Sequence, residues 1–137
     1  MKKFKFALQN LLDLRIKQLE EKQIEFGKLQ FIMRTLQNQL ASFEEEKASS
    51  KSEMDIALIN ANQNHILQKE NDIIQKQQEI DAHQTKLEEK QRELIEAMKA
   101  KTMLEKLKEK QLNAFLKALD EVEKKELDEI GLIRYAR

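Results

Sequence analysis

The chain is 137 residues long, with 25 basic and 25 acidic side chains and a formal net charge of zero. Lys and Glu interleave along it, which argues against a nucleic-acid binder, since such proteins gather positive charge on one surface. There is no Cys for disulfide or thiolate chemistry, and no Pro with only two Gly (Gly27, Gly131) leaves few points at which a helix can break.

The opening MKKFKFALQNLL is basic, but Lys5, Gln9, Asn10 and Asp13 interrupt any apolar run, so no signal peptide is expected. No apolar stretch approaches the roughly 20 residues needed to cross a bilayer, and a soluble chain is expected.

The first segment carries a dense stripe. Alternating steps of four and three give Leu8, Leu12, Arg15, Leu19, Lys22, Phe26, Leu29, Met33, Leu36, Leu40 and Phe43. This is the two-row seam of a coiled coil, on a helix predicted from about 5 to about 48. Arg15 and Lys22 interrupt it, their stems expected to lie along the seam with the charge reaching water. Gly27 lies beside the seam as a tolerated surface glycine, at a cost of about 1 kcal/mol relative to Ala.

Residues 47–53 read KASSKSE, without a large apolar side chain, and Ser competes for backbone hydrogen bonds. A turn is therefore expected at about 48–54. Beyond it a second row recurs every seventh residue: Ile59, Ile66, Ile73, Ile80, Leu87 and Leu94. Polar flanks accompany it, Gln63, Gln77, Gln84 and Gln91 on one side and Lys69, Lys76, His83 and Lys90 on the other. Leu67 and Ile74 widen it locally. Folding the chain about residue 51 sets Phe43 opposite Ile59, Leu19 opposite His83 and Leu8 opposite Leu94. The expected fold is all-α: a single domain of two long helices forming an antiparallel coiled-coil hairpin, the second helix longer, from about 55 to about 130.

Past Leu94 the row loses phase on paper. Lys101 and Lys108 fall where apolar residues are due, while Met103, Leu104 and Leu107 lie on a rotated face. Leu112, Phe115, Leu116, Leu119 and Val122 then form another stripe, and Gly131 is a natural C′ stop. Under the mirror, residues beyond about 98 face nothing, so an unpaired apolar face marks a partner site there. Asp128 and Glu129 near a helix C-terminus oppose the helix dipole, which is accounted for either by a partner contact or by a frayed tail.

No catalytic constellation is evident, and no enzyme is expected. There is no Gly-rich phosphate loop, and acidic clusters such as Glu44–Glu46 read as solvated faces. His65 and His83 are 18 residues apart, roughly 27 Å along a helix, too far to share a metal. No metal or cofactor is expected, and both histidines read as solvated or seam-flanking.

The ends of the chain resemble a known family. Phe4 to Arg15 (FKFALQNLLDLR), Leu104 to Lys110 (LEKLKEK) and Leu127 to Ile130 (LDEI) are similar to the flagellar export protein FliJ family. The resemblance implies a stalk-like coiled coil that binds the hexameric flagellar export ATPase ring and links it to the membrane-embedded export gate. It implies a cytoplasmic protein, peripheral at the inner membrane when assembled. Some members also handle empty export chaperones. Carried onto this chain, Phe4, Phe6 and Arg15 at one end would face the ATPase. From the other end Leu104, Leu107, Lys108, Asp128, Glu129 and Ile130 would do so, with Leu112 and Phe115 of the late stripe. Members often carry an aromatic face early in the second helix for the gate, where this chain has His65, Ile66 and Leu67. The alternatives are a homodimeric structural coiled coil without a turn at 47–53, and the equivalent stalk protein of a virulence secretion system.

Overall fold

A computed structural model describes residues 3–52 and 59–136, with side chains described for 3–50 and 63–135. Two helices account for nearly all of them: α1, Gln9–Ser52, and α2, Ile59–Ala136, with no strand among the described residues. The second is the longer, 78 residues against 44, and the two pack against each other within one chain. That is the all-α two-helix arrangement expected from the seams, and it leaves no support for a turnless homodimeric rod.

Both helices differ at their ends from the expectation. α1 begins at Gln9 rather than about 5, because residues 3–6 are irregular and residues 7–8 form a turn in which Gln9 N donates to the Phe6 carbonyl at 3.1 Å. Leaving the helix lets Phe6 become buried. The turn expected at 48–54 is helical through Ser52, and residues 53 and 54 lie outside the described residues. Serine costs a helix only a few tenths of a kcal/mol, on the order of 0.5. Ion pairs from Glu46 to Lys69 and from Lys47 to Glu70 (3.2 Å) tie the last turns of α1 to α2. α2 begins at Ile59 and runs through Gly131 to Ala136, and no described glycine has a positive φ, so Gly131 is not a stop. Arg134 in its last turn suits the negative end of the helix dipole.

The chain divides into two compact units, Glu21–Ile95 and Met1–Glu20 with Glu96–Arg137. In the first, Met33 and Ile66 are buried, while Phe26, Leu40, Ile73, Ile80, Leu87 and Leu94 are half-buried; the side chain of Ile59 is outside the described residues. The polar flanks of the second row separate cleanly. The Gln63, Gln77, Gln84 and Gln91 side is exposed, whereas Lys69, Lys76 and Lys90 are half-buried and His83 is buried at 8 % exposure. The cationic side is thus the second row of the α2 seam.

Each member of that row meets a polar group of α1. Lys69 pairs with Glu46, Lys76 Nζ donates to Gln39 Oε1 at 2.9 Å, and Lys90 Nζ reaches Glu25 Oε2 at 3.1 Å. His83 Nε2 donates to the Leu29 carbonyl at 2.7 Å, which answers the burial cost of its ring nitrogen. His83 is therefore a satisfied seam residue, while His65 is exposed. These contacts run antiparallel, but not in the mirror about residue 51. The Phe43 ring, expected opposite Ile59, lies under Lys69 Nζ (5.4 Å) and Lys76 Nζ (5.9 Å), and His83 meets Leu29 rather than Leu19. Cation–π contact and ion pairing select this register.

Glu93 closes a four-charge cluster. Its Oε2 accepts from Lys22 Nζ at 3.0 Å and from Lys90 Nζ at 3.1 Å. The hydrogen bond from Lys22, then that from Lys90, holds the Glu93 carboxyl below its ordinary 4.5, while bonding to Glu25 and then Glu93 raises Lys90 above 10.5. A lowered carboxyl contributes stability above 4.5 that is lost as pH falls through its native value; the raised ammonium contributes below 10.5 and loses this as pH rises. Both groups are solvent-reached, so the effect is small. Melting midpoints of Glu93→Gln should lie slightly below the parent at pH 7 and coincide with it in strong acid.

An added Cβ at Gly27 would meet nothing within 4 Å. Gly27→Ala should therefore raise unfolding free energy by about 1 kcal/mol, read as a higher midpoint in thermal circular dichroism.

Candidate functional site

The residues singled out for partner binding fall in the unit of Met1–Glu20 and Glu96–Arg137. There, Leu12 and Leu19 of α1 are buried, and Leu8, just before the helix, is exposed. The packed face of α2 is Lys101, Leu104, Lys108, Leu112, Phe115 and Leu119, all half-buried at steps of three and four. The helix thus keeps phase through Lys101 and Lys108, contrary to the break expected there. Lysine stems can line a seam while their ammonium groups find partners: Lys108 Nζ donates to Gln9 Oε1 at 2.6 Å, and Lys101 pairs with Glu105 at 3.4 Å. Of the three residues expected on a rotated face, Leu104 packs inward with the lysines, while Met103 is 73 % and Leu107 36 % exposed.

The α2 face is covered well beyond residue 98, where the mirror had left it bare. The Phe4 ring packs on Phe115, centroids 5.6 Å apart and planes tilted by 48°. Tilted aromatic pairs of this kind contribute about 0.5–1.5 kcal/mol beyond area burial. Of the predicted contact residues, Phe4, Phe6, Leu104, Lys108, Leu112 and Phe115 are thus wholly or partly taken up inside the unit. Arg15 is half-buried and donates from Nη1 to Gln18 Oε1 at 3.2 Å.

The uncovered part starts after Leu119. Every residue from Asp120 to Tyr135 is exposed, including the predicted Asp128, Glu129 and Ile130. Val122, Leu127, Leu132, Ile133 and Tyr135 join Ile130 as exposed large apolar or aromatic side chains, Tyr135 at 93 %. Val122, Glu126, Ile130 and Ile133 continue from Leu119 at steps of three and four, so they prolong the face that α2 buries earlier. That continuation was the available signal for Val122 and Ile133, which the sequence reading left out of its contact set.

Among its described residues, the Glu21–Ile95 unit shows no run of exposed residues comparable to Asp120–Tyr135. Ile24, Phe31, Leu67 and Ile74 are exposed there, and Ile66 turns inward between exposed His65 and Leu67. Among the described residues no group of His, Cys, Asp or Glu could hold a metal, and no helix is long and apolar enough to cross a membrane.

A protein-family model described as "Flagellar FliJ protein" matches residues 4–137. No curated protein and no solved structure matches the chain.

The packing of Phe4 on Phe115 makes a local test. Phe4→Ala should speed amide exchange at Gln9, whose N–H bonds the Phe6 carbonyl, by about two- to tenfold, the equivalent of the aromatic pair energy. Amides in the middle of α2 should be unchanged.

Proposed function

We propose, from the premise that this chain belongs to the flagellar FliJ family, that it is a stalk-like coiled-coil part of the flagellar protein export apparatus which binds the hexameric export ATPase and couples it to the export gate. The family makes it a flagellar export component rather than an enzyme. Contact with the ATPase ring and the gate, handling of empty chaperones, and a peripheral position at the cytoplasmic face of the inner membrane belong to the proposal.

The observation that carries it is the uncovered face of α2 from Asp120 to Tyr135. An apolar helical stripe left in water by its own chain is an interaction surface of the helix-in-groove kind. Its slender form suits a pore: bound off-centre, a single helix touches the subunits around it unequally and biases their conformational states differently. The residues inside the unit, Phe4, Phe6, Phe115 and Lys108, then act by holding the base of that helix rather than by touching the ring.

The test is binding to the cognate export ATPase. Val122→Asp with Ile130→Asp, both on the uncovered face, should weaken binding by about tenfold or more, since each replaces an apolar contact with a charge that is costly to desolvate. The melting midpoint should stay near that of the parent, because neither side chain is buried in the free protein. Unchanged affinity would exclude this face as the ATPase contact.

A further inference from the structure

We infer that the surface which covers the end of α2 presents Lys or Arg to Glu123 and Glu126, an acidic pair built into the otherwise apolar uncovered face. This rests on the ATPase reading above and specifies the chemistry of that contact: an apolar groove carrying basic side chains.

The argument starts from helical spacing. An exposed acid on a helix is ordinarily eased by a base three or four positions away. In this tail Asp120 has Lys117 and Lys124 at that spacing, Glu121 has Lys117, Lys124 and Lys125, Asp128 has Lys124 and Lys125, and Glu129 has Lys125. Glu123 and Glu126 have none. The positions three and four away from Glu123 are Leu119, Asp120, Glu126 and Leu127; those from Glu126 are Val122, Glu123, Glu129 and Ile130. The two face each other as like charges, which opposes the helix.

Their direction is the second step. Glu126 lies between Val122 and Ile130 on the face that Leu119 begins, with Glu123 at its edge, while Lys124 and Lys125 project away from it. A carboxylate there is expelled from an apolar contact unless the covering surface supplies a partner. Within the unit the same face already behaves so: Lys108 is half-buried in it, and the N-terminal chain covering it supplies Gln9 at 2.6 Å. In the Glu21–Ile95 unit, Lys22 and Lys90 sit in the seam and meet Glu93 and Glu25 of the opposite helix. Lys22, Lys90 and Lys108 are thus matched from across the seam, where a neighbour exists, while Arg15 and Lys101 are matched within their own helices. No described residue of this chain covers Glu123 and Glu126, so the match comes from the partner.

The experiment compares two double charge reversals of equal net change by calorimetric titration into the cognate export ATPase. E123K/E126K reverses the charges on the face; E121K/D128K reverses two on the outer side. E123K/E126K should weaken binding by about tenfold or more, while E121K/D128K changes it by less than about twofold. E123Q/E126Q should weaken it less than the reversal and should flatten the loss of affinity with added salt. Circular dichroism verifies that both reversals keep their helix. A parent chain that fails to bind the ATPase overturns the ATPase reading. A parent that binds, with E123K/E126K binding as tightly, overturns the inference alone. A parent that sediments at twice its 16.2 kDa mass, and that E123K/E126K returns to monomer, makes a second copy the cover and also overturns it.

Discussion

Two long helices stay together only while each keeps its narrow stripe turned toward the other, and here the stripe is thin. No described side chain is fully buried, and the buried set is six residues, one of them His83. Apolar burial at about 25 cal/mol per Å² supplies the attraction but hardly distinguishes one alignment of two heptad rows from another. The polar groups in the seam make that distinction. A lysine in the row gains a cross-helix partner only where a carboxylate or amide waits across from it, and a slide along the seam would remove several of these contacts at once. Specificity of register is therefore carried by Lys69, Lys76, His83 and Lys90, the residues that reduce the apolar content of the α2 seam.

This explains which parts of the fold were legible. The step of seven from Ile59 to Leu94 and the alternating steps from Leu12 to Phe43 announce helices and their inner faces, and burial follows them from Ile66 to Leu94 and from Leu12 to Phe43. Register is a different kind of information. A heptad repeat is self-similar, so a slide by whole heptads restores apolar residues opposite apolar residues, and counting from a presumed turn fixes nothing. The serines at 49, 50 and 52 were weak evidence for that turn. Their helix penalty is a few tenths of a kcal/mol, about 0.5 at most, and the Glu46–Lys69 and Lys47–Glu70 pairs act on the same turns of α1.

The candidate site was legible in kind and displaced in position for the same reason. An unpaired apolar face late in α2 followed from the longer second helix. Its beginning depended on the register, and the structure moves it from about residue 98 to just past Leu119. Lys101 and Lys108 misled because a cation in a seam looks like a loss of phase when residues are scored by polarity alone. A lysine carries four methylenes, and its stem satisfies a seam position while its head leaves it. The pairing of Phe4 with Phe115 had no periodic signal at all, since Phe4 precedes the helix and meets a residue far away in the chain.

The uncovered tail also has a thermodynamic consequence for the proposed contact. A free helix of some 16 residues is marginal in water, chiefly because nucleating the first turn is costly. The stretch from Asp120 to Tyr135 is spared that cost, because it propagates from a part of α2 already packed through Phe115 and Leu119. Lysines at helical spacing from Asp120, Glu121, Asp128 and Glu129 support it further. A groove that receives this helix therefore finds it already formed, and little binding energy is spent on ordering it. Glu123 and Glu126 lack a base at helical spacing, and a basic counter-group supplies one only when bound. The stretch is thus preorganised in shape and incomplete in charge. The apolar residues then supply contact area, while the two carboxylates restrict which surfaces the helix accepts.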